Sequence, residues 1–336
     1  MSKVSVIIPN YNHARFLRQR FDSVLRQTYT DWGLIYLDDA SKDDSNGIAE
    51  EYSLKHGFRM FLNSENSGSP FKQWNKGIDF CEGEYVWIAE ADDDSHPDFL
   101  ARMVGVLESD PTIVFAYAQS YAVDAEGAIL FRYDELHKEI AGDPYEADFI
   151  IDGREELCRS MIRMNTVPNA SAVVFRRDAF LKIGGAPAHM RLCGDWITWS
   201  RLMSLGRMAY VAEPLNYYRS HAKSVRSTLG IGARNMKETY MARAEVARLA
   251  KLPDALQEEM AAHSAMCWLD LTRTGGDALS LKDHWDIFRE ARRFDARIYR
   301  RVARKIVRWI LERSGLGAVT SLLRSRTRSS VQVKSE

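Results

Sequence analysis

The chain has 336 residues, of which 46% are hydrophobic, enough for one large domain or for one domain with an appendage. Its 46 basic residues balance 46 acidic residues, and a formal net charge of zero argues against a surface built to bind nucleic acid. The balance is uneven, because residues 292–328 hold 12 Lys or Arg and 2 Asp or Glu, a net of +10 that leaves −10 for the rest.

The spacing of the cysteines and the first residues of the chain indicate the cellular compartment in which the protein is expected. The four cysteines are scattered without metal-like or disulfide-like spacing, at Cys81, Cys158, Cys193 and Cys267. The chain enters a predicted strand at Val4, so we expect no signal peptide. No apolar run reaches the length of about 18 residues that a membrane span needs. These patterns predict a reducing, cytoplasmic location.

Strands and helices alternate through the first third of the chain. Short β-branched or aromatic runs predict strands at 4–8, 34–37, 59–62, 85–89 and 113–117. Apolar residues at helical spacing predict helices at 13–27, 44–55, 71–81 and 97–109. This alternation predicts an α/β fold with a doubly wound, mostly parallel sheet.

The second half is less regular. Residues 122–165 show a mixed, irregular pattern, and further elements are predicted at 172–175, 178–183, 195–205 and 208–218. From about 231 to 325 the pattern is helical, with a weak break at Gly275-Gly276. The sequence therefore predicts a helical region appended at the C-terminal end.

The stretch Glu90-Ala91-Asp92-Asp93-Asp94 follows the predicted strand 85–89 directly. In open α/β sheets ligands bind at the C-terminal ends of the strands. Neighbouring carboxylates repel one another unless a positive charge lies among them, and their oxygens suit Mg²⁺ or Mn²⁺. A solvated acidic turn before the next helix is the alternative, and the cluster alone leaves both open.

Polar loops also follow the first two predicted strands. They are Pro9-Asn10-Tyr11-Asn12 and Asp38-Asp39-Ala40-Ser41-Lys42-Asp43. The Tyr11 ring could contact a base, and the Asp39 carboxylate could accept hydrogen bonds from a base or from ribose. Turn formation and helix capping are the alternative roles of these residues.

Five segments of the chain resemble the family 2 glycosyltransferases of the GT-A fold, in order and in spacing. They are 4–12, 25–28, 38–43, 83–85 and 92–93. The resemblance covers roughly residues 3–225. It implies a GT-A catalytic domain at 1–225, with a nucleotide-sugar half at about 1–120 and an acceptor half at about 121–225. A helical C-terminal extension then occupies 226–336.

The resemblance also implies a nucleotide pocket. Pro9, Tyr11 and Asp39 match family positions that line the base and the ribose. Lys72 is expected near the base or the phosphates.

For the acidic cluster the resemblance implies a metal site. Asp92 and Asp93 match the carboxylates of the family's DXD motif, which hold Mn²⁺ or Mg²⁺ and the sugar diphosphate, with Asp93 the more direct ligand. A divalent cation stabilises the charge that a departing nucleoside diphosphate gains. The family usually has Asp-x-Asp-Asp, whereas this chain has Glu90 in the first place. Asp94 is expected to cap the next helix.

A second constellation is Gly194-Asp195-Trp196, which resembles the family's Glu-Asp motif. By that resemblance Asp195 is the catalytic base that takes a proton from the acceptor hydroxyl. A plain N-cap is the alternative, since Asp is a favoured cap. Gly194 replaces the family's Glu, and Trp196 is the best candidate among the tryptophans for a contact with a sugar.

The segment Leu215–His221 resembles the one that follows this motif in many members. His221 is a candidate ligand of the metal or the diphosphate, with a structural role as the alternative. Arg219 is expected to offset phosphate charge. Ser171 either faces the acceptor or packs in the core.

The function implied is an inverting glycosyltransferase. It would move a sugar from a nucleotide-diphosphate donor, a UDP-sugar, to a glycan or lipid-linked acceptor in cell-surface polysaccharide or O-antigen biosynthesis. A sugar-phosphate nucleotidyltransferase is an alternative, although the loop Pro9–His13 lacks the glycines that such enzymes use to bind phosphate. A non-catalytic nucleotide-binding or scaffold protein is another.

The C-terminal helical pattern is both basic and amphipathic. Its apolar residues are Ile298, Val302, Ile306, Trp309 and Ile310. Such a helix can lie on an anionic membrane, here on the cytoplasmic face. It could equally pack on the catalytic domain or form a homodimer.

Overall fold

The computed structural model describes residues 2–135, 144–221, 232–274 and 279–313. The chain divides into two compact units, Met1–Leu252 and Pro253–Glu336. The predicted break at Gly275-Gly276 and the last part of the predicted basic tail lie outside the described residues.

The first unit contains the alternating strands and helices. Its described strands are β1 (Val4–Asn10), β2 (Trp32–Asp38), β3 (Arg59–Leu62), β4 (Tyr85–Ile88), β5 (Asp94–Ser95), β6 (Ile113–Val123), β7 (Ile129–Arg132), β8 (Phe149–Asp152), β9 (Val173–Arg176) and β10 (Arg207–Arg219). Its described helices are α1 (Ala14–Leu25), α2 (Ser45–His56), α3 (Pro70–Asp79), α4 (Phe99–Ser109), α5 (Gly153–Glu156), α6 (Arg177–Lys182), α7 (Gly194–Met203) and α8 (Ala233–Ala250). A π-helical turn, Leu157–Met161, continues α5.

All ten described strands join one sheet in the order β3-β2-β1-β4-β9-β6-β10-β5, with β7 beside β6 and β8 beside β10. Strands β3, β2, β1 and β4 run parallel to one another, and β6 is parallel to β10. Strand β9 lies antiparallel between β4 and β6. The predicted α/β fold with a mostly parallel central sheet and C-terminal helices is confirmed.

Strand β1 shows why the sheet is covered on both faces. Val4, Val6 and Ile8 point to one face and join the core cluster formed by α1, α2 and α4. Ile7 points to the other face, toward α3, where a Cβ on Gly77 would lie 2.8 Å from its side chain. Since both faces are buried, the strand reads as a continuous apolar run and not as an alternating one.

Residues 122–165 contain more regular structure than their pattern predicts. Strand β6 continues six residues past the predicted end at Tyr117, and β7, β8 and α5 lie in the region predicted to be irregular. Gln119 and Ser120 are fully buried within β6. Buried polar residues interrupt the apolar run by which a core strand is recognised, so the sequence pattern ends too early.

Helix α8 belongs to the first compact unit, because that unit extends to Leu252. It packs against α7, where Arg201 Nε donates to Glu245 Oε1 at 2.6 Å. The predicted domain division at 225 remains a prediction, since it falls in residues outside those described.

The second unit contains the helices α9 (Asp254–Thr274), α10 (Leu281–Phe294) and α11 (Ile298–Arg313). A capping box between Ser280 and Asp283 starts α10. Arg301 of α11 donates to Glu258 at 2.5 Å and to Asp295 at 2.6 Å. Among the described helices, none is long and apolar enough to cross a membrane.

Candidate active site

A buried arginine lies behind the acidic loop 90–94 at the end of β4. The Arg20 side chain of α1 is fully buried, and its Nε donates to the Glu90 carbonyl oxygen at 2.7 Å. Its two Nη atoms donate to the hydroxyls of Ser95 and Ser171 at 2.9 and 2.8 Å. Burial lowers the pKa of the guanidinium, and the loop carboxylates oppose that shift. The positive charge that the acidic cluster requires is therefore supplied by the protein itself.

Arg219, the last residue of β10, holds the same loop from another side. Its backbone N–H donates to Asp93 Oδ1 at 2.9 Å, and its Nε donates to the Asp92 carbonyl oxygen at 2.7 Å. Its Nη2 donates to Gln19 Oε1 at 2.9 Å, and the residue is 2% exposed. Arg219 therefore orders the loop backbone, and the prediction that it offsets phosphate charge is corrected.

The Asp92 side chain lies beside two histidines. Its Oδ2 is 2.9 Å from His221 Nε2, and the His13 and His221 rings meet edge to face with centroids 5.5 Å apart. One ligand atom of each of these three residues lies within 4.8 Å of the others. Burial alone would raise the pKa of the Asp92 carboxyl, but His13 and His221 lower it to about 2. Two imidazoles and an ionised carboxylate form a donor set that fits a divalent metal ion.

His13 is the member of this group that sequence reasoning missed. It directly follows the polar loop after β1 and precedes α1. Its position at a strand end was the available signal, but only folding brings it to Asp92 and His221, which lie far along the chain.

Asp93 points into the interior, away from this group. It is 3% exposed, its Oδ2 accepts a hydrogen bond from the Asn169 amide, and its Oδ1 accepts one from the Arg219 N–H. Burial and the neighbouring Asp92 raise its pKa to about 7. The sequence favoured Asp93 as the more direct metal ligand; in the structure the Asp93 carboxylate contacts Asn169 and Arg219, and Asp92 is the one that lies beside the two histidines.

Glu90, where the chain departs from the family pattern, is held by α3. Trp74 Nε1 donates to its Oε1 at 2.8 Å, and its own backbone N–H donates to Ser171 Oγ at 3.0 Å. Burial and the neighbouring Asp92 raise the pKa of its carboxyl to about 8. Ser171 is fully buried and joins Arg20 to Glu90, so of its two predicted roles the structure selects the core.

Asp94 does not cap the following helix. It accepts hydrogen bonds from Arg26 and, at 2.6 Å, from Gln19 Nε2. Helix α4 begins at Phe99 with Asp98 in the N-cap position. The predicted cap is therefore wrong, and Asp94 instead ties the acidic loop to α1 and the turn after it.

The Asp39 carboxylate is ordered by the loop after β3 and by helix α3. Its Oδ1 accepts from Asn63 Nδ2 at 2.7 Å, from the Ser67 N–H at 2.8 Å and from Gln73 Nε2 at 2.8 Å. Its Oδ2 accepts from Ser67 Oγ at 2.8 Å. The residue is 5% exposed. This network holds the carboxylate in place at the C-terminal edge of the sheet.

The other predicted nucleotide residues surround this edge. Pro9 is buried in β1 opposite Leu37 of β2, and Tyr11 follows it with a side chain that is 43% exposed. Lys72 Nζ donates to the Ser67 carbonyl oxygen at 2.9 Å, so Ser67 links Lys72 to the Asp39 network.

Asp195 lies in the first turn of α7, which begins at Gly194 with Cys193 in the N-cap position. Its Oδ2 accepts from Asn165 Nδ2 at 2.9 Å, and its Oδ1 accepts from the Trp196 backbone N–H at 2.8 Å. The N-cap alternative is wrong, because the helix starts before Asp195.

Trp196 is a core residue in this fold. It is 7% exposed, and its indole N–H donates to the Met161 carbonyl oxygen at 2.9 Å. Its position does not support the predicted contact with a sugar.

Both departures from the family pattern contact α3. A Cβ on Gly194 would lie 2.5 Å from a ring carbon of Phe71, so the space of the family's Glu side chain is occupied. Phe71 meets Trp74 edge to face with ring centroids 5.0 Å apart, and Trp74 binds Glu90. The two substitutions are therefore linked through one aromatic helix.

The fold is of the GT-A type. An S. aureus TarS fragment, residues 1–349, in complex with UDP-GlcNAc has a TM-score of 0.65 and 16% identity, covering 88% of this chain and 82% of that one. The mannosyltransferase PcManGT from Pyrobaculum calidifontis, in complex with GDP-Man and Mn²⁺, has a TM-score of 0.51 and 16% identity, covering 89% and 87%. At these identities the likeness concerns the fold.

Sequence comparison supports the same family for the N-terminal part of the chain. Residues 5–160 match the model of glycosyl transferase family 2. TuaG of Bacillus subtilis, named for teichuronic acid biosynthesis, is 28% identical over 248 residues, covering 73% of this chain and 89% of TuaG. An uncharacterized glycosyltransferase of Nostoc is 26% identical over 223 residues, and the match spans 65% of each protein. The family 2 match over residues 5–160 and the glycosyltransferase names of these relatives confirm the resemblance, and the chain is a glycosyltransferase.

Replacing the buried Arg20 tests its role in the loop. We expect Arg20→Met to lower the free energy of unfolding by about 3–5 kcal/mol, because it leaves buried acceptors and carboxylates without their cation. Urea unfolding of the variant and of the wild type measures the difference. Arg18→Met on the same helix is the control, since its exposed pair with Glu51 contributes little. Equal losses in the two variants would contradict the role of Arg20.

Adding one methyl group tests the contact between Gly194 and Phe71. We expect Gly194→Ala to destabilise the protein by about 1–3 kcal/mol through overpacking. The matched control is Gly105→Ala in α4, where no atom lies within 4 Å of the new Cβ, and helix propensity should make that change neutral or stabilising. Thermal unfolding measures the change in stability of both variants. An unchanged midpoint for Gly194→Ala would show that the Phe71 ring can move aside without a cost in stability.

Proposed function

We propose that this glycosyltransferase inverts the anomeric centre while it moves a sugar from a UDP-sugar to a hydroxyl group, with Mn²⁺ or Mg²⁺ bound. The observation that carries the proposal is the group His13, Asp92 and His221 at the same sheet edge as Asp39. The complexes of TarS with UDP-GlcNAc and of PcManGT with Mn²⁺ support the choice of donor and metal.

In this proposal Asp92, His221 and His13 hold the cation. The bound cation supplies positive charge where the departing diphosphate becomes more negative. Asp93 keeps the neighbouring Asp92 in place, because Asp93 is itself held by Asn169 and by the Arg219 N–H. The DXD carboxylates then have unequal roles, one binding and one positioning.

The donor nucleotide would occupy the pocket formed by the first two strand ends. The Tyr11 ring is exposed enough to lie against the base, and Pro9 sets the direction of the loop that carries it. The ordered Asp39 carboxylate would accept hydrogen bonds from the base or the ribose. Lys72 would lie near the base or the phosphates, since it reaches the same Ser67 that contacts Asp39.

Asp195 would act as the base on the acceptor side. As the acceptor oxygen forms its bond to the anomeric carbon, the bond from that carbon to the diphosphate oxygen breaks, and the hydroxyl proton passes to Asp195. Asn165 donates to Asp195 Oδ2 and so orients the carboxylate.

The acceptor that we propose is a glycan or a lipid-linked saccharide, in the synthesis of a cell-surface polysaccharide or O-antigen. The name of TuaG supports a cell-surface polymer. The reaction would take place in the cytoplasm. The C-terminal helices would provide either a peripheral contact with the membrane or a homodimer contact.

Metal binding should separate the roles of Asp92 and Asp93. We expect Asp92→Ala to weaken Mn²⁺ binding by about 100-fold and Asp93→Asn by about tenfold or less, as for a ligand compared with its support. Isothermal titration with Mn²⁺ in the presence of UDP measures both. A larger loss of Mn²⁺ affinity in Asp93→Asn than in Asp92→Ala would show that Asp93 is the more direct ligand.

Donor use should identify the sugar. We expect Mn²⁺ and one nucleotide sugar from a panel of UDP-sugars and GDP-Man to give slow nucleotide release, because water can replace the acceptor. Removing Mn²⁺ with a chelator should abolish the release. Tight UDP binding without release from any donor, even with candidate acceptors, would contradict the enzymatic proposal.

A substitution of Asp195 tests its proposed role as the catalytic base. We expect Asp195→Asn to keep the affinity for UDP but to lower transfer by about 10²–10⁴-fold, since an amide accepts no proton. Calorimetry with UDP and the rate of nucleotide release measure the two effects. Normal transfer by this variant would show that Asp195 is not the base.

A further inference from the structure

Helix α8 lies beyond the residues matched by the family model, yet it reaches the loop that leads to Asp195. The Glu238 side chain of α8 is 4% exposed. Its carboxylate accepts hydrogen bonds from three consecutive backbone N–H groups, at 3.2 Å from Arg191, 2.8 Å from Leu192 and 3.0 Å from Cys193. Hydrogen bonds to an ionised acceptor are stronger than neutral ones, so this contact fixes the loop.

The same helix also holds the segment that contacts the other side of Asp195. Arg243, five residues after Glu238, is 6% exposed, and its Nη2 donates to the Arg163 carbonyl oxygen at 3.0 Å. Asn165, which lies two residues after Arg163, donates to Asp195 Oδ2 at 2.9 Å. Helix α8 therefore fixes both the loop before Asp195 and the segment that carries its hydrogen-bond donor.

We propose that Glu238 is a positioning residue for the catalytic base, with Arg243 as its counterpart on the Asn165 side. The first N–H groups of a helix and of the residues before it have no partner within the helix. Glu238 satisfies the N–H groups of 191–193, which sets where α7 begins and hence where the Asp195 carboxylate lies. Misplacing a reacting group by about 1 Å can cost 10²-fold in rate. The inference rests on the proposed role of Asp195.

Hydrogen exchange tests the positioning without any donor sugar. We expect Glu238→Gln, which removes the charge but keeps the size, to speed exchange of the amides in 191–195 by about tenfold, the effect of losing roughly one charged hydrogen bond. Glu245→Gln is the matched control, because Glu245 joins α8 to Arg201 without touching the loop. UDP affinity should stay unchanged in both. Equal acceleration in both variants would overturn the inference, because the loop would then depend on α8 packing in general.

A double-mutant cycle tests the link to the base. With the donor that the wild type uses, we expect Glu238→Gln to lower kcat for nucleotide release by about tenfold with KM unchanged. In the Asp195→Asn background Glu238→Gln should have no further effect, because residues that act through one another are not additive. Multiplicative losses would overturn the inference.

The two experiments separate this inference from the proposed function. If the wild type used no nucleotide sugar, the proposed function would fail, whereas the exchange rates of 191–195 would still decide whether Glu238 orders that loop. If transfer proceeded but Glu238→Gln lowered neither kcat nor amide protection, the positioning role alone would fail.

Discussion

The site depends on one buried cation. Arg20 lies under a loop that carries four acidic side chains within five residues, and its donors reach Glu90, Ser95 and Ser171. A buried charge is costly unless it is paired and hydrogen-bonded, and here the acidic loop and the guanidinium satisfy each other. Because Arg20 belongs to α1 and Ser171 precedes β9, the same contact fixes the loop against elements from both halves of the first unit.

The ordered backbone of the acidic loop fixes the direction in which each of its acidic side chains points. Arg20 and Arg219 bind carbonyl oxygens of the loop, so the Asp92 side chain stays with the histidines while Asp93 turns inward. The pair Asp38-Asp39 shows the same division. Asp38 is fully buried and accepts from Ser41 and Tyr36, whereas Asp39 lies within the loops at the sheet edge. In each pair one carboxylate supports the loop, and the neighbouring one is the residue for which we propose a ligand contact.

Helix α3 accounts for the two positions where the chain leaves the family pattern. Trp74 receives Glu90 as its hydrogen-bond partner, and Phe71 fills the space that a side chain at position 194 would need. A change at one of these positions would disturb the packing at the other, since the Phe71 and Trp74 rings are in contact. The two departures from the family pattern are thus coupled through the packing of one helix.

Local pattern determined much of this protein. Strand runs and helical spacing were sufficient for the α/β fold and the helical C-terminal region, and five motif segments were sufficient for the resemblance to the family. Tertiary structure alone decided that β6 continues through buried Gln119, that His13 joins Asp92, and that Glu238 reaches the loop before Asp195. The physical reason is that periodicity reports which face of an element is buried, whereas these contacts join residues 40 or more positions apart, and only the packed sheet brings them together.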